Sequence, residues 1–263
     1  GRHDPGLAAG AMGGMNSDPK NSLGREAGVT TPPLRGRLME TSLHRQLKAH
    51  YAGDGGAQEV VCQGYRIDAV CDGELIEIQH GSLAAIRDKI RRLLKKHRVR
   101  VVKPIVARKV LVKLAERGGA ELSRRSSPKQ GTLLDVFDEL VYFTRVFPHP
   151  RLTLEVALVE VEERRYPGRG KRRRRSQRDF QIDDQRLVRV TATHALATND
   201  DLLRLLPRRL PAPFHTGHLA ERLDAPRWIA QRIAYCLRQT GAVQVVGKQG
   251  NALLYARAPG QAA

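Results

Sequence analysis

Two acidic residues in neighbouring β-rich segments, Asp68 and Glu77, are the side chains best placed to carry out chemistry. They flank Asp72-Gly73, and Asp-Gly between two β-rich runs is a strong signal for a two-residue hairpin turn. Such a turn sets Asp68 opposite Glu77, with their Cβ atoms about 5 Å apart, and it puts Gln79 on the same face. Hard cations such as Mg²⁺ bind carboxylate oxygens. A cation held here would polarise a phosphodiester and activate a bound water molecule.

The other face of the predicted hairpin supports this register. It pairs Ala69 with Ile76 and Ile67 with Ile78, so the apolar residues are buried together. Like charges directly opposite each other destabilise a sheet, and a positive charge is therefore expected beside the two carboxylates. Arg66 could supply this charge, or a bound cation could. A solvated polar face with no special role is the ordinary alternative.

The helix before the hairpin offers a third acid. Glu40, Leu43, His44, Leu47 and Tyr51 have the spacing of one helical face, which places the Glu40 carboxylate in line with apolar side chains. This carboxylate could converge on the same edge of the sheet as the two strand carboxylates. Alternatively, it lies in a frayed first turn, where the helix dipole favours an acid.

A second helix and further strands follow the hairpin. Gly81 or Ser82 caps a helix that continues to about His97, and Val99–Val106 and Lys109–Leu114 have the composition of buried strands. The predicted order of elements is therefore αβββαβ, in a protein of the α/β (α+β) class.

Within this order, Arg66-Ile67-Asp68 and Glu77-Ile78-Gln79 resemble the motif of the PD-(D/E)XK nuclease superfamily, which includes restriction enzymes and Holliday-junction resolvases. The resemblance covers residues 37–115 and implies a restriction-endonuclease-like core. It also implies that Asp68 and Glu77 bind Mg²⁺ or Mn²⁺, with Glu40 as a third acid and metal ligand.

The sequence departs from this motif at two positions. Ile67 stands where the motif name has Pro, and Gln79 stands where the motif has the lysine that helps to activate water. Glutamine can position the attacking water by hydrogen bonds but supplies no positive charge. Lys89 or Lys103 could supply that charge, although both also fit ordinary surface or phosphate-binding lysines.

The charge of the chain indicates a polyanionic partner. Its 263 residues include 46 Lys+Arg against 27 Asp+Glu, a formal net charge of +19. DNA is the first expectation and a membrane surface the second, while charge alone does not separate DNA from RNA. No apolar run approaches the roughly 20 residues that cross a bilayer. No Gly-rich phosphate loop followed by Lys-Ser/Thr occurs, which argues against a nucleotide cofactor.

The cysteines and the first residues bear on the setting of the protein. Cys62, Cys71 and Cys236 lack zinc-ribbon or thioredoxin spacing, and nothing resembles a signal peptide, so a cytoplasmic, nucleoid-associated protein is expected. Residues 1–36 are rich in Gly, Pro, Ser and Asp without periodicity, which predicts a flexible arm. Its first residues resemble the remnant of a tag.

A short basic stretch in the middle of the chain is a candidate DNA contact. Arg124, Arg125 and Lys129 precede a predicted helix over Leu133–Phe143, so they could meet a phosphate group at the start of that helix. An ordinary basic loop is the alternative.

A longer basic stretch, residues 164–178, lies between the strand-like segments Leu152–Val161 and Arg186–Val190. This arrangement predicts an inserted β-ribbon with a basic tip, which suits the DNA backbone. A solvated loop without a partner is the alternative. The candidate contacts are Lys171, Arg172, Arg173, Arg174 and Arg175.

The last part of the chain has the predicted element order of a winged helix. After Pro207–Pro213, the pattern predicts a short helix over Phe214–Leu223, a longer helix over Pro226–Thr240 with Trp228 on its apolar side, and a terminal hairpin. This order resembles winged helix-turn-helix domains, which bind DNA or serve in protein contact and dimer packing. The candidate DNA contacts are Arg227, Gln231, Arg232, Arg238 and Gln239 on the helix and Lys248, Gln249 and Asn251 on the wing.

The sequence therefore predicts a flexible arm over 1–36, a nuclease-like domain over 37–206 and a winged helix-turn-helix domain over 207–263. The favoured function is a metal-dependent DNA endonuclease in DNA repair or in the processing of particular DNA structures, with a homodimer as one option. A catalytically inactive DNA-binding regulator or scaffold on a nuclease fold is the alternative, which Gln79 favours. An RNA-directed nuclease is a third reading.

Overall fold

A seven-stranded sheet with helices packed against it is the main feature of the structure, so the protein is of the mixed α/β class, as predicted. The computed structural model describes residues 40–168 and 180–259. The predicted arm and the basic residues Lys171–Arg175 lie outside the described residues. The elements are α1 (Ser42–Ala52), β1 (Ala57–Cys62), β2 (Tyr65–Cys71), β3 (Glu74–Ile78), a 3₁₀ turn (Leu83–Ile86), α2 (Arg87–Leu93), β4 (Arg98–Leu114), β5 (Glu121–Ser126), a 3₁₀ turn (Leu133–Asp135), α3 (Val136–Leu140), β6 (Leu152–Pro167), β7 (Phe180–Leu196), α4 (Asn199–Arg204), α5 (Thr216–Leu223), α6 (Arg227–Gln239), β8 (Val243–Gln249) and β9 (Ala252–Arg257).

The long strand β4 organises the sheet, whose order is β1-β2-β3-β4-β6-β7. One edge of β4 pairs in parallel with β6 along almost its whole length. The other edge pairs first with β3, also in parallel, and then with the antiparallel β5. The hairpin that carries the acidic residues therefore lies at one end of β4, and β5 and the β6–β7 ribbon extend to the other end.

Apolar clusters lie on the two faces of the sheet. Leu43 and Leu47 of α1 pack with Ile76 and Ile78 of β3 in one cluster. The larger cluster contains apolar residues of α2, α3 and the C-terminal elements: Ile90, Phe137, Leu219, Ile233 and Leu237. Because both faces are covered, all five residues of β3 are buried, including Glu77.

The predicted hairpin is confirmed, and its register holds next to the turn, where Ala69 pairs with Ile76. The ladder then stops, because the backbone N–H of Ile78 donates to Asp68 Oδ2 at 2.8 Å instead of to a strand carbonyl. The expected pairing of Ile67 with Ile78 on one face is therefore wrong, since these residues lie in different apolar clusters.

Several predicted elements have different limits in the structure. The helix α1 begins after its cap Thr41, so Glu40 precedes the helix. The helix α2 ends at Leu93, and a 3₁₀ turn capped by Ser82 forms the first part of the predicted helix. The two strands predicted over residues 99–114 are one strand, β4, with a register shift between Val106 and Arg108 against β6.

The C-terminal segment packs on the rest of the described chain. The described residues form one compact unit, and the Cys236 thiol of α6 lies 3.6 Å from the backbone carbonyl oxygen of Phe137 in α3. The predicted apolar face of α6 is wrong at its start, because Trp228 is 53% exposed. The buried face of α6 consists instead of Ala230, Ile233, Ala234, Cys236 and Leu237.

Candidate active site

Asp68 is held in place by groups from α1 and β3. Its Oδ1 atom lies 3.2 Å from His44 Nε2 and 3.5 Å from Lys48 Nζ, and its Oδ2 atom accepts from the Ile78 N–H. Burial by itself raises the pKa of Asp68, but the hydrogen bonds from His44 and from the Ile78 backbone outweigh it and hold the pKa below its usual value. Asp68 is therefore a carboxylate anion at neutral pH.

Glu77 has the opposite electrostatic environment. Its side chain is almost completely buried, and burial, followed by the negative charge of Asp68, raises the pKa of Glu77. Lys89 of α2 partly offsets this effect, with its Nζ atom 2.6 Å from Glu77 Oε2. Two neighbouring carboxylates with pKa values shifted in opposite directions are typical of functional sites.

Lys48 joins the third predicted acid, Glu40, to the pair. Its Nζ atom lies 2.6 Å from Glu40 Oε1 and 3.0 Å from Glu59 Oε1, in addition to its contact with Asp68. The side chain of Lys48 is buried, and although burial lowers the pKa of this lysine, its bonds to Glu40 and Glu59 raise it overall. The structure thus brings Glu40 to the site through Lys48.

Neither Gln79 nor Arg66 forms a side-chain hydrogen bond or ion pair with Asp68 or Glu77. The Gln79 amide donates to the backbone carbonyl of Ser82 at 2.9 Å, and the Arg66 guanidinium forms an ion pair with Glu59. Of the two predicted sources of positive charge, Arg66 is therefore wrong, because its guanidinium pairs with Glu59 instead. Lys89 supplies the positive charge instead, and its ammonium also donates to the backbone carbonyl of Arg66.

Two histidines at the site were not predicted as functional residues. The ring of His44 is 5.4 Å from the ring of His80, and its Nε2 atom also lies 3.6 Å from Glu40 Oε1. His44 could have been identified from the sequence, because it lies on the same predicted helical face as Glu40. His80 lies two residues after the end of β3, and its residue is exposed.

Lys103 forms an ion pair with Glu139 rather than with Asp68 or Glu77. Its Nζ atom donates to the backbone carbonyls of His80 and Gly81 at 3.0 and 2.7 Å, so it holds the segment after β3 in place. Across residues 40–168 and 180–259, no three His, Cys, Asp or Glu side chains are grouped as a ready metal site.

The structure places the central basic candidates on a strand, so their prediction as a loop before a helix is wrong. Arg124 and Arg125 belong to β5, which pairs with β4. Arg124 forms ion pairs with Glu121 and Glu162, whereas Arg125 lines a cavity at the far end of the sheet. Lys129 lies in the exposed segment after β5.

The candidates on the C-terminal elements differ in accessibility. Arg232 is held by an ion pair with Asp138 of α3 and lies over the Trp228 ring at 4.8 Å. Tyr235, one turn further along α6, is also exposed. The other candidate contacts are exposed: Arg227, Gln231, Arg238 and Gln239 on α6, and Lys248, Gln249 and Asn251 on the hairpin.

Comparisons with known proteins identify the relatives of this chain. A family model described as "Domain of unknown function (DUF8091)" matches residues 41–197, which include α1 and all of the large sheet. A protein of Treponema pallidum (strain Nichols), named "Uncharacterized protein", is 30% identical over 226 residues, which are 84% of this chain and 86% of that protein. No solved structure matches significantly. In the described part of the chain, no helix has the length and apolar character needed to span a membrane.

Proposed function

The chain belongs to the DUF8091 family, and from the geometry of its carboxylate pair we propose that it is a metal-dependent DNA endonuclease. The observation that carries this proposal is Glu77, a buried carboxylate whose pKa is raised by burial and by the neighbouring charge of Asp68. Such repulsion costs folding free energy, so a role in binding a cation accounts for it better than a structural role does.

The donor set suits a hard divalent cation. Mg²⁺ and Mn²⁺ prefer oxygen ligands and are commonly bound by one or two carboxylates, and Asp68 and Glu77 would hold the ion here. When bound, the ion would polarise a phosphodiester and provide an activated water for hydrolysis. Glu40 is close enough to share Lys48 with Asp68 and would be the third acid.

The side chains around the pair have distinct roles in this proposal. His44 and the Ile78 N–H orient the Asp68 carboxylate, and Lys48 balances its charge. Lys89 takes the place of the missing motif lysine, because it brings a positive charge to Glu77 from α2. Gln79 would need a different side-chain rotamer to reach a water molecule at the site, since its amide donates to Ser82.

We also propose that the chain combines a restriction-endonuclease-like core with a small winged-helix domain. The order α1, β1, β2, β3, α2, β4 agrees with the αβββαβ order predicted for a restriction-endonuclease-like core and supports this assignment, with β6 and β7 as an added ribbon. The order α5, α6, β8, β9 supports a small winged-helix domain at the C-terminus. The net charge of +19 supports DNA as the partner. We place the activity in DNA repair or the processing of particular DNA structures.

A nuclease assay with Asp68→Asn tests the proposal. Labelled duplex, single-stranded and branched DNA are incubated with Mg²⁺, Mn²⁺ or EDTA. We expect metal-dependent cleavage by the wild-type chain and none by Asp68→Asn, because the amide lacks the negative charge that holds the ion. Asp72→Asn is the matched control, since Asp72 lies in the exposed hairpin turn. Wild-type protein that binds DNA but cleaves none of these substrates would contradict the proposal.

Lys89→Met is expected to lower the cleavage rate at saturating DNA about 100-fold. The change removes the only described ammonium group within hydrogen-bonding distance of Glu77. The measurement is single-turnover cleavage beside Lys96→Met, which removes an exposed lysine just beyond the same helix. If Lys89→Met weakens DNA binding but leaves the saturated rate unchanged, Lys89 is a phosphate contact instead.

A catalytically inactive DNA-binding regulator or scaffold is the second candidate function. The observation that favours it is Gln79, which replaces the motif lysine and whose amide is engaged by Ser82. The assay above separates the two functions, because a scaffold binds DNA without needing the divalent ion and never cleaves it.

A further inference from the structure

A cavity of about 380 Å³ lies at the far end of the sheet, where β4, β5, β6 and β7 come together. We call it the tip cradle. Its lining combines an apolar floor with positive charges. The side chains used in the argument are Leu111, Pro167, Phe180, Lys113, Arg125 and Arg165.

The positively charged side chains of the tip cradle are available to bind an anion. Within residues 40–168 and 180–259, no carboxylate lies within 4.0 Å of the Lys113 ammonium or the Arg125 guanidinium. Arg165 forms an ion pair with Glu163, and its guanidinium lies over the Phe180 ring at 3.9 Å. The tip cradle therefore has two positively charged side chains, Lys113 and Arg125, that can bind a phosphate. Beside them, the Arg165 guanidinium is stacked on the Phe180 ring.

The register of the strands places the tip cradle at a defined distance from the carboxylate pair. Glu77 pairs with Val101 near the start of β4, and Lys113 lies near its end. At about 3.3 Å per residue, the two positions are roughly 40 Å apart along the strand. This distance is close to one turn of duplex DNA, about 34–36 Å.

The tip cradle also lies on the same face of the sheet as the helix that contacts the carboxylate pair. Arg165 pairs with Lys113 across β4 and β6, and it follows Val161 and Glu163 at alternate positions of β6. Val161 packs in the cluster that contains Leu43 of α1. Because side chains alternate along a strand, the tip cradle opens on the face that α1 covers, where His44 and Lys48 reach Asp68.

We propose that the tip cradle binds an unpaired nucleotide of DNA. This nucleotide lies about one duplex turn from the phosphodiester bond that is cleaved at Asp68 and Glu77. Lys113 and Arg125 bind its phosphate, and its base lies on the apolar floor against Arg165 and Phe180. An unpaired base exposes a flat face that stacks on guanidinium and aromatic groups, whereas the bases of a duplex are stacked on one another. The inference rests on the proposed function and narrows its substrate to DNA with a single-stranded segment.

The test measures DNA binding alone, so it does not depend on cleavage. Fluorescence anisotropy in EDTA compares a labelled single strand with its blunt duplex, for the wild type, Phe180→Ala and the double variant Lys113→Ala/Arg125→Ala. We expect both variants to bind the single strand about tenfold more weakly and the duplex nearly as the wild type does. Phe180→Leu, which keeps an apolar side chain, is the second variant in case Phe180→Ala fails to fold.

The double variant Arg208→Ala/Arg209→Ala is the matched control, because it removes two exposed arginines that do not line the tip cradle. Equal weakening of single-strand and duplex binding, or equal effects of the control, would overturn the inference and leave the nuclease proposal standing. Tighter binding of structured RNA than of any DNA would overturn the ligand class. Absence of all nucleic-acid binding by the wild type would overturn the inference and the proposed function together.

Discussion

Replacing Glu77 by glutamine is expected to raise the melting temperature of the protein and to remove most of its metal-dependent cleavage. The buried carboxylate is opposed by burial and by the charge of Asp68, as its raised pKa indicates. A glutamine of the same shape removes that cost and can still accept from Lys89. We expect a gain of about 1 kcal/mol at neutral pH, or about 2–4 °C in Tm. The loss of a metal-binding charge should lower cleavage at least about 100-fold.

The pH dependence provides an internal check on this gain. Because the pKa of Glu77 is higher in the folded state than its ordinary value of 4.5, the folded protein carries the unfavourable charge only above the folded pKa. The stability advantage of Glu77→Gln should therefore be present at neutral pH and shrink as the pH falls through that pKa. Differential scanning calorimetry at neutral and acidic pH measures it.

Glu74→Gln is the matched control for this prediction. Glu74 lies on the same strand, is equally buried at 8% exposure, and pairs with Arg100 at 2.8 Å. Replacing Glu74 should lower the stability of the protein, because Arg100 loses the negative charge of the carboxylate with which it pairs. Metal-dependent cleavage should continue. A lower Tm for Glu77→Gln at neutral pH would show that Glu77 is a structural partner of Lys89 rather than a carboxylate kept for function.

The carboxylate pair could be predicted from the sequence because its position depends on local signals. Asp72-Gly73 fixes the turn, and the turn fixes which residues of β2 and β3 lie opposite each other near it. The contacts of Lys48 could not be predicted in this way. Lys48 lies at the edge of the predicted face, four residues after His44, where a lysine is usually solvent-exposed, and only the packing of α1 on the sheet brings its ammonium to Asp68.

The strand β5 shows a second limit of sequence patterns. All six of its residues are exposed, so Arg124 and Arg125 lack the alternation of buried and exposed positions that identifies a strand. This segment is extended because it pairs with β4, and local sequence patterns do not indicate that pairing. The tip cradle requires Arg125 to lie beside the end of β4, so it could not be predicted from the sequence.

The misplacement of Trp228 has a simpler cause. The apolar pattern of the predicted helix included this side chain, yet the buried stripe of α6 begins two residues later with Ala230, Ile233, Ala234 and Leu237. These four residues have the i, i+3, i+4, i+7 spacing of a helical face. Trp228 lies outside this buried stripe and is 53% exposed.

The core that joins α3 to α6 leads to the prediction with the largest effect on stability. Phe137 is 1% exposed, lies in the same cluster as Ile90 of α2 and Ile233 of α6, and accepts from the Cys236 thiol through its backbone carbonyl. Phe137→Ala is expected to cost about 3–5 kcal/mol of unfolding free energy, because it leaves a cavity that rigid neighbours cannot fill. Tyr142→Ala, which removes a 53% exposed aromatic near α3, should cost far less.

The only tryptophan of the chain, Trp228, turns this variant into a test of how the C-terminal segment unfolds. Its fluorescence reports on α6, whereas far-ultraviolet circular dichroism reports on all elements. Because one cluster joins the sheet to α6, we expect both signals to shift by the same amount in Phe137→Ala, by about 10 °C. A fluorescence transition that stays at the wild-type temperature would mean that the segment after residue 206 unfolds as an independent domain, with its contacts to α3 contributing little to its stability.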